Sequence, residues 1–200
     1  HAFPTKTEGA FVGNHGLTAT CFSFYANKTI TTGEGGMLVT NNLKLAKRMM
    51  LIRNHGEAVL KNSNLSLNSD LIGYNFRLGE MEAAIGIEQL KKLQSIIDTK
   101  RNLAFQLTKG LKKLKGINTP IEKKDCTHVY YVYGITINTK KIGVTRNSLY
   151  KALIAEGVPC RKEYELLYKY PIFKNKKNYA RKLYPISESI SKNYIGIGFC

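Results

Sequence analysis

The pattern of apolar and polar residues along this chain predicts a mixed α/β structure. β-branched and aromatic residues dominate three short stretches that we predict as strands: 18–25, 37–40 and 129–137. Apolar residues recur at helical spacing in four stretches that we predict as helices: 43–52, 78–114, 144–156 and 187–193. Residues 1–18 hold glycines and few apolar positions, which predicts a loop.

Polar residues and glycines mark the ends of these helices. Asn42 is placed to cap the helix at 43–52, and Gly157 follows the helix at 144–156 as the residue that ends it. The stretch 78–114 contains no proline, so it predicts one very long helix. Whether this helix breaks once near Asp98 stays open at this point.

The remaining stretches have weaker patterns. Residues 53–69 form a long polar connection, 158–164 are compatible with a short strand, and 176–183 with a short helix. The order strand, helix, strand after the long helix predicts a small α/β unit. We therefore place a domain boundary near residue 110, dividing the chain into 1–110 and 111–200.

Charge raises the question of a polyanionic partner. The 200 residues carry a formal net charge of +17, which often indicates nucleic-acid binding. The lysines are spread through the predicted helices, however, and no nucleic-acid-binding motif accompanies them. We expect no nucleic-acid partner and keep a basic polyanion-binding module as the non-enzymatic alternative.

Cysteine usage and hydropathy exclude further classes of function. The four cysteines are widely separated, and the four histidines do not cluster with them, so we expect no metal site. No apolar run approaches the roughly 18 residues of a membrane-spanning helix. Free thiols fit a reducing compartment, and the start of the chain does not resemble a secretory leader. We therefore expect a cytoplasmic protein without a membrane partner.

Lys28 is the first candidate for chemistry. It follows the predicted strand 18–25 in a polar turn, and the run Gly33-Glu-Gly-Gly36 separates it from the next strand. Burying an ammonium group is costly unless the group is neutralised or paired. A desolvated lysine is a suitable nucleophile for a Schiff base with an aldehyde cofactor. From the residues alone, a solvated turn lysine remains the simpler interpretation.

Two segments resemble the two signatures of one enzyme family. The first is Ser-Phe-Tyr-Ala-Asn-Lys-Thr-Ile-Thr-Thr-Gly-Glu-Gly-Gly-Met at 23–37, and the second is Ile-Gly-Tyr-Asn-Phe-Arg-Leu-Gly-Glu-Met-Glu-Ala-Ala-Ile-Gly-Ile-Glu-Gln-Leu at 72–90. Both are similar to signatures of the DegT/DnrJ/EryC1/StrS nucleotide-sugar aminotransferases. The resemblance implies fold type I of the pyridoxal-phosphate (PLP) dependent transferases. The chain would then hold part of the mixed-sheet large domain and a small C-terminal α/β domain.

The resemblance also implies roles for five residues. Lys28 would form the Schiff base with pyridoxal 5′-phosphate and then transfer protons. Ser23 would donate to the cofactor phosphate, and His1 would lie beside the cofactor ring. Asn75 would reach the phosphate in the partner subunit, which implies a homodimer with shared active sites. Arg77 would bind the carboxylate of the amino-acid donor.

Three of these assignments leave a structural alternative open. Ser23 could instead be a strand serine bonded to backbone, Arg77 could form a salt bridge at a helix start, and His1 could be an unconstrained terminal residue. In the family, the aspartate that pairs with the pyridine nitrogen lies three positions before the histidine matched by His1. We therefore expect the chain to be a piece of a longer protein.

The resemblance further implies a substrate class. Lysine at position 28, where a few relatives have histidine, favours transamination over dehydration. The run from Thr29 to Gly36 is similar to enzymes that act at C4 of the sugar, such as perosamine synthases. We expect amino transfer from glutamate to a nucleotide-linked 4-keto-6-deoxy sugar, in the synthesis of cell-surface glycans. A C3-acting aminotransferase and a dehydratase that uses PLP or pyridoxamine phosphate are the alternatives.

Overall fold

The computed structural model describes five stretches of the chain: residues 1–16, 18–57, 71–162, 165–174 and 184–199. Its backbone divides into two compact units. The first comprises His1–Asp98 and Lys123–Tyr131, and the second comprises Thr99–Glu122 and Val132–Cys200. The sequence predicts a domain boundary near residue 110. This boundary stays a prediction for the whole protein.

A small hairpin opens the first unit where the sequence predicted a loop. Strands β1 (Lys6–Thr7) and β2 (Ala10–Phe11) pair antiparallel, with Lys6 opposite Phe11. The two turn residues, Glu8 and Gly9, have φ angles of 50° and 80°, the left-handed backbone that type I′ hairpin turns require. The loop prediction was wrong here because two-residue strands are too short to produce an alternating pattern.

The next two strands confirm the sequence prediction, the first with shorter bounds and the second shifted by one residue. Strands β3 (Thr20–Ser23) and β4 (Gly36–Val39) pair antiparallel, so that Ser23 lies opposite Gly36. A Cβ atom at Gly36 would lie 2.9 Å from the carbonyl oxygen of Phe22, so a side chain there would force the strands apart. The connection between the two strands carries Lys28.

Two helices follow in the order that the sequence predicted. Helix α1 (Leu43–Arg53) begins after Asn42, whose side chain accepts a hydrogen bond from Leu45 N at 3.0 Å. Helix α2 (Glu80–Leu111) runs for 32 residues. It is continuous at Asp98, where the side chain accepts a hydrogen bond from Gln94 Nε2 at 2.8 Å one turn earlier. The long helix is therefore confirmed, and it has no break at that point.

A four-stranded antiparallel sheet forms the second unit. Its strands, in spatial order, are β5 (Ile117–Asn118), β6 (Tyr133–Ile137), β8 (Tyr194–Ile197) and β7 (Cys160–Arg161). Tyr133, Ile135 and Ile137 alternate along β6 and are buried, and Ile195 of β8 joins them in the core. The predicted strand at 129–137 starts four residues late because Tyr130 has a φ of 46°, which no strand accommodates.

The helices of the second unit are short. They are α3 (Thr139–Ile142), α4 (Arg146–Ala155), a 3₁₀ turn at Leu167–Lys169, α5 (Pro171–Lys174) and α6 (Pro185–Asn193). Thr145 caps α4 by accepting from Ser148 N at 3.1 Å, and Gly157 follows the helix with a φ of 78°, as predicted. The helix predicted at 176–183 lies outside the described residues.

Candidate active site

Lys28 lies in a turn that the protein packs tightly. Lys28 N donates to the carbonyl oxygen of Tyr25 at 2.9 Å, and Thr32 N donates to that of Phe24 at 2.9 Å. Thr29 and Ile30, which follow the lysine directly, are both buried. Lys28 is itself partly buried, so the solvated-turn interpretation does not describe this lysine.

Two side chains from distant parts of the sequence contact the Lys28 amine. Lys28 Nζ and His1 Nε2 are hydrogen-bonded at 2.7 Å, and Nζ donates to the Tyr131 hydroxyl at 3.3 Å. The Tyr131 hydroxyl in turn donates to Asn27 Oδ1 at 3.1 Å. The rings of His1 and Tyr131 stack with centroids 4.3 Å apart. His1 is therefore not an unconstrained terminal residue in this structure.

A pocket opens beside this cluster. His1, Ser23, Lys28 and Thr29 supply its polar groups, and its other lining residues are Phe3, Phe22, Phe24 and Ile30. Ser23 Oγ accepts from Tyr25 N at 3.4 Å, and the described residues offer no acceptor for its proton. An amine and a hydroxyl donor thus meet an aromatic wall. This combination fits an aromatic aldehyde that carries a phosphate.

Asn75 and Arg77 lie together in a separate place in the first unit. Residues 73–77 run beside the end of α1, where Tyr74 N donates to the carbonyl oxygen of Ile52 at 2.8 Å and His55 N donates to that of Tyr74 at 3.0 Å. Asn75 pairs with Asn54 in an isolated antiparallel bridge. Both predicted residues are exposed, and neither lines the pocket beside Lys28.

The partner that the structure gives Arg77 is an amide. Arg77 Nη1 donates to Asn54 Oδ1 at 2.7 Å, where the sequence left a salt bridge at the helix start open. Gly73 makes this arrangement possible, because a Cβ atom there would lie 2.0 Å from Gly56 N. The stretch from Arg53 to Gly56 is therefore a support for residues 73–77.

The sequence analysis missed Tyr131 and Asn54. Tyr131 lies 103 residues from Lys28 along the chain, and within a predicted strand it resembles an ordinary aromatic core residue. The available signal was the His128-Val-Tyr-Tyr run, which puts two polar-tipped rings side by side. For Asn54 the sequence offered a weaker indication, namely its position directly before a histidine and a glycine in a polar connection.

Titration and metal binding add little to this site. Burial lowers the pKa of Lys100 and raises the pKa of Cys160, and neither residue lines the pocket. Within the described stretches no group of histidine, cysteine and acidic side chains could hold a metal ion. None of the helices described there is long and apolar enough to cross a membrane.

The fold and the pocket together define a class, the PLP-dependent transferases of fold type I. The aminotransferase PseC of Helicobacter pylori, involved in the biosynthesis of pseudoaminic acid, superposes with a TM-score of 0.83 and 28% identity over 96% of this chain and 50% of that chain. The profile of the DegT/DnrJ/EryC1/StrS aminotransferase family matches residues 1–199, so the chain belongs to that family. Pyridoxal 5′-phosphate is the cofactor that this membership implies.

Two curated relatives show how much of this chain and of each relative the similarity covers. GDP-perosamine synthase of Escherichia coli O157:H7 is 34% identical over 189 residues, which are 94% of this chain and 48% of that protein. The spore coat polysaccharide biosynthesis protein SpsC of Bacillus subtilis (strain 168) is 32% identical over 159 residues, 76% of this chain and 41% of that protein. The chain spans about half the length of the curated relatives it matches.

Proposed function

We propose that the full-length protein is a PLP-dependent aminotransferase that transfers an amino group from glutamate to a nucleotide-linked 4-keto-6-deoxy sugar. The observation that carries this proposal is the partly buried Lys28 amine, hydrogen-bonded to His1 at a pocket that also holds Ser23. The likeness to GDP-perosamine synthase supports a nucleotide-sugar substrate. The likeness to a spore coat polysaccharide biosynthesis protein supports a place in glycan synthesis.

The pocket residues divide the work of holding the cofactor and moving a proton. PLP, when bound, supplies an electron-accepting ring and an aldehyde. Lys28 Nζ is the amine for that aldehyde and, once free, the group that carries a proton to and from the substrate carbon. Ser23 Oγ would hold the phosphate by donating its proton to a phosphate oxygen. His1 would offer the flat surface of its imidazole to the cofactor ring.

Arg77 serves the amino-acid donor in this proposal. Its guanidinium presents five N–H donors, of which Asn54 takes only part, so two can meet a carboxylate side by side. Because Asn54 fixes one edge of the guanidinium, the donor finds it already oriented. That arrangement lowers the cost of ordering a long side chain on binding.

Asn75 acts across a homodimer in this proposal, at the cofactor phosphate of the partner subunit. Three large apolar side chains close to Asn75 in the sequence support a protein partner for this part of the chain: Ile72 is 80% exposed, Phe76 64% and Met81 77%. Aromatic and methionine side chains are enriched where protein surfaces bury each other. The partner proposed here is a second copy of the same protein.

The first experiment tests the cofactor role of Lys28. Full-length protein mixed with PLP should develop an absorbance band near the visible edge, and Lys28→Ala should abolish it. Lys44→Ala, in the exposed first turn of α1, is the matched control and should keep the band. A band that survives Lys28→Ala would contradict the assignment.

Product analysis tests the reaction type. With glutamate and a nucleotide-linked 4-keto-6-deoxy sugar, the protein should form 2-oxoglutarate and an amino sugar with nitrogen on C4. A deoxy-keto sugar would indicate the dehydratase instead. Nitrogen on C3, located by NMR, would indicate the C3-acting aminotransferase.

A further inference from the structure

Tyr131 interacts with the Lys28 amine through both its hydroxyl and its ring. Its hydroxyl accepts from Nζ at 3.3 Å, and its ring centroid lies 4.9 Å from Nζ, within range of a cation–π interaction. The same ring stacks on His1, the other partner of the amine. Tyr131 therefore constrains both Nζ and the imidazole that Nζ contacts.

Asn27 fixes the direction of the Tyr131 hydroxyl. A phenol has one proton, and Tyr131 gives it to Asn27 Oδ1 at 3.1 Å. The lone pairs of the phenol oxygen are then left for a donor, and Lys28 Nζ is that donor. Since Asn27 directly precedes Lys28, the acceptor for the amine is fixed relative to the backbone of the lysine itself.

The backbone before Tyr131 is strained in a way that serves this placement. Tyr130 has a φ of 46°, in the left-handed region that bulky residues rarely adopt. His128 stabilises the turn, because its Nδ1 accepts from Tyr130 N at 2.9 Å and its ring stacks on that of Tyr130 at 4.2 Å. Strain of this kind concentrates at functional sites, where neighbouring groups hold it in place.

We propose that Tyr131 is a positioning residue for Lys28, one that holds the free amine in a single place at the pocket. The proposal rests on the function proposed above. A lysine side chain has four rotatable bonds, and its reaction with a bound aldehyde is faster when the amine is held in the geometry of attack. The hydroxyl of Tyr131 keeps Nζ at the position from which attack is productive, and Asn27 and the His128 turn keep the hydroxyl there.

Cofactor loading gives the first readout. We compare Tyr131→Phe with Tyr150→Phe, whose phenol lies in the second unit beside Lys162. At saturating PLP, Tyr131→Phe of the full-length protein should reach the wild-type absorbance about tenfold more slowly, because the amine loses the hydrogen bond that holds it at the pocket. Its dissociation constant for PLP should stay unchanged because Ser23 is intact. Loading at the wild-type rate would overturn the proposal.

Chemical labelling gives a readout that needs no cofactor. With the cofactor removed, an amine-acetylating reagent is applied and the modification rate of each lysine is followed by peptide mass spectrometry. In Tyr131→Phe the released Lys28 should react about fivefold faster relative to Lys44 and Lys91, since a small reagent accepts any approach. Tyr150→Phe should leave that ratio unchanged. Equal Lys28 ratios in Tyr131→Phe and the wild-type protein would overturn the proposal.

The two readouts separate the two hypotheses. If the wild-type protein shows no Lys28-dependent band with PLP, the proposed function fails, and labelling still decides whether Tyr131 holds the amine. If Tyr131→Phe does not fold, Asn27→Ala is tested instead. That substitution removes the acceptor of the Tyr131 hydroxyl proton and leaves the tyrosine ring stacked on His1. A Lys28 ratio unchanged by Asn27→Ala would then overturn the proposal.

Discussion

Arg77 donates from Nη1 to Oδ1 of Asn54 at 2.7 Å, across 23 positions of the sequence. Backbone hydrogen bonds between the end of α1 and residues 73–77 hold the two residues beside each other, among them Phe76 N to the carbonyl oxygen of Arg53 at 3.0 Å. The guanidinium is therefore oriented before any ligand arrives. The orienting role of Asn54 can therefore be tested by substitution.

We predict that Asn54→Ala raises the KM for glutamate by about three- to tenfold, because the guanidinium loses one hydrogen bond that orients it. The maximal rate with saturating donor should change little. Steady-state kinetics of the full-length protein measure both constants. Asn147→Ala, on the exposed side of α4, is the control, and a fall in maximal rate at constant KM would argue against an orienting role.

Gly73 and Gly110 should respond in opposite ways to alanine. A Cβ atom at Gly73 would lie 2.0 Å from Gly56 N and 2.4 Å from the carbonyl carbon of His55, so Gly73→Ala must displace backbone. We expect it to lower the free energy of unfolding by about 2 kcal/mol or more.

Gly110 lies near the end of α2, with nothing within 4 Å of an added Cβ atom. Gly110→Ala should therefore raise the free energy of unfolding by about 0.5–1 kcal/mol, the helix preference of alanine over glycine. Urea titrations of both variants test the pair. A Gly73→Ala protein as stable as wild type would show that Gly73 and Gly56 are less tightly packed than in this structure.

Ser23→Ala should weaken PLP binding without preventing the reaction of Lys28. A hydroxyl that donates to a charged phosphate contributes enough for an increase of about tenfold or more in the dissociation constant. The final absorbance at saturating PLP should match the wild type. Equilibrium titration by absorbance measures the constant, and Ser187→Ala on α6 is the control. A lower final absorbance with unchanged affinity would contradict the phosphate role.

Tyr133 links the stability of the second unit to alkaline pH. Burial raises its pKa above the ordinary value of 10.0, and the hydrogen bond with Thr108 Oγ1 at 2.7 Å opposes that shift. The folded protein thus keeps the phenol protonated at pH values where the unfolded chain releases the proton. Its contribution is complete below pH 10.0 and is lost as the pH rises through the raised pKa.

Tyr133→Phe should therefore cost about 1 kcal/mol of unfolding free energy at pH 7, and the difference from wild type should shrink above the ordinary tyrosine pKa. Urea unfolding at a series of pH values gives both numbers. Tyr150→Phe again serves as the control. A difference that grows at high pH would reverse the sign argued here.

Pattern alone predicted most elements of the fold, and the exceptions have physical causes. Helices α1 and α4 were predicted with one end residue each, because Asn42 and Gly157 are local signals. The cap at Thr145 was found only in the structure. The hairpin β1–β2 was missed because strands of two residues are too short to produce an alternating pattern. The late start of β6 depends on the left-handed residue Tyr130, which no hydrophobic pattern reveals.

The candidate site was predictable where its residues lie in segments that resemble the family. His1, Ser23 and Lys28 come from two such segments, and the structure places all three at one pocket. Tyr131 reaches Lys28 from 103 positions away, and such a contact leaves no periodic trace in one sequence. The roles of Asn75 and Arg77 stay predictions, because both face outward from the described part of the chain.

The close approach of Gly73 to Gly56 has a consequence for how this protein can diversify. Residues 52–56 and 73–77 are joined by backbone hydrogen bonds, so the positions at which the chain leaves and re-enters this support are fixed. The sequence can therefore vary at position 73 only by displacing Gly56, and such a shift would carry Asn75 and Arg77 with it.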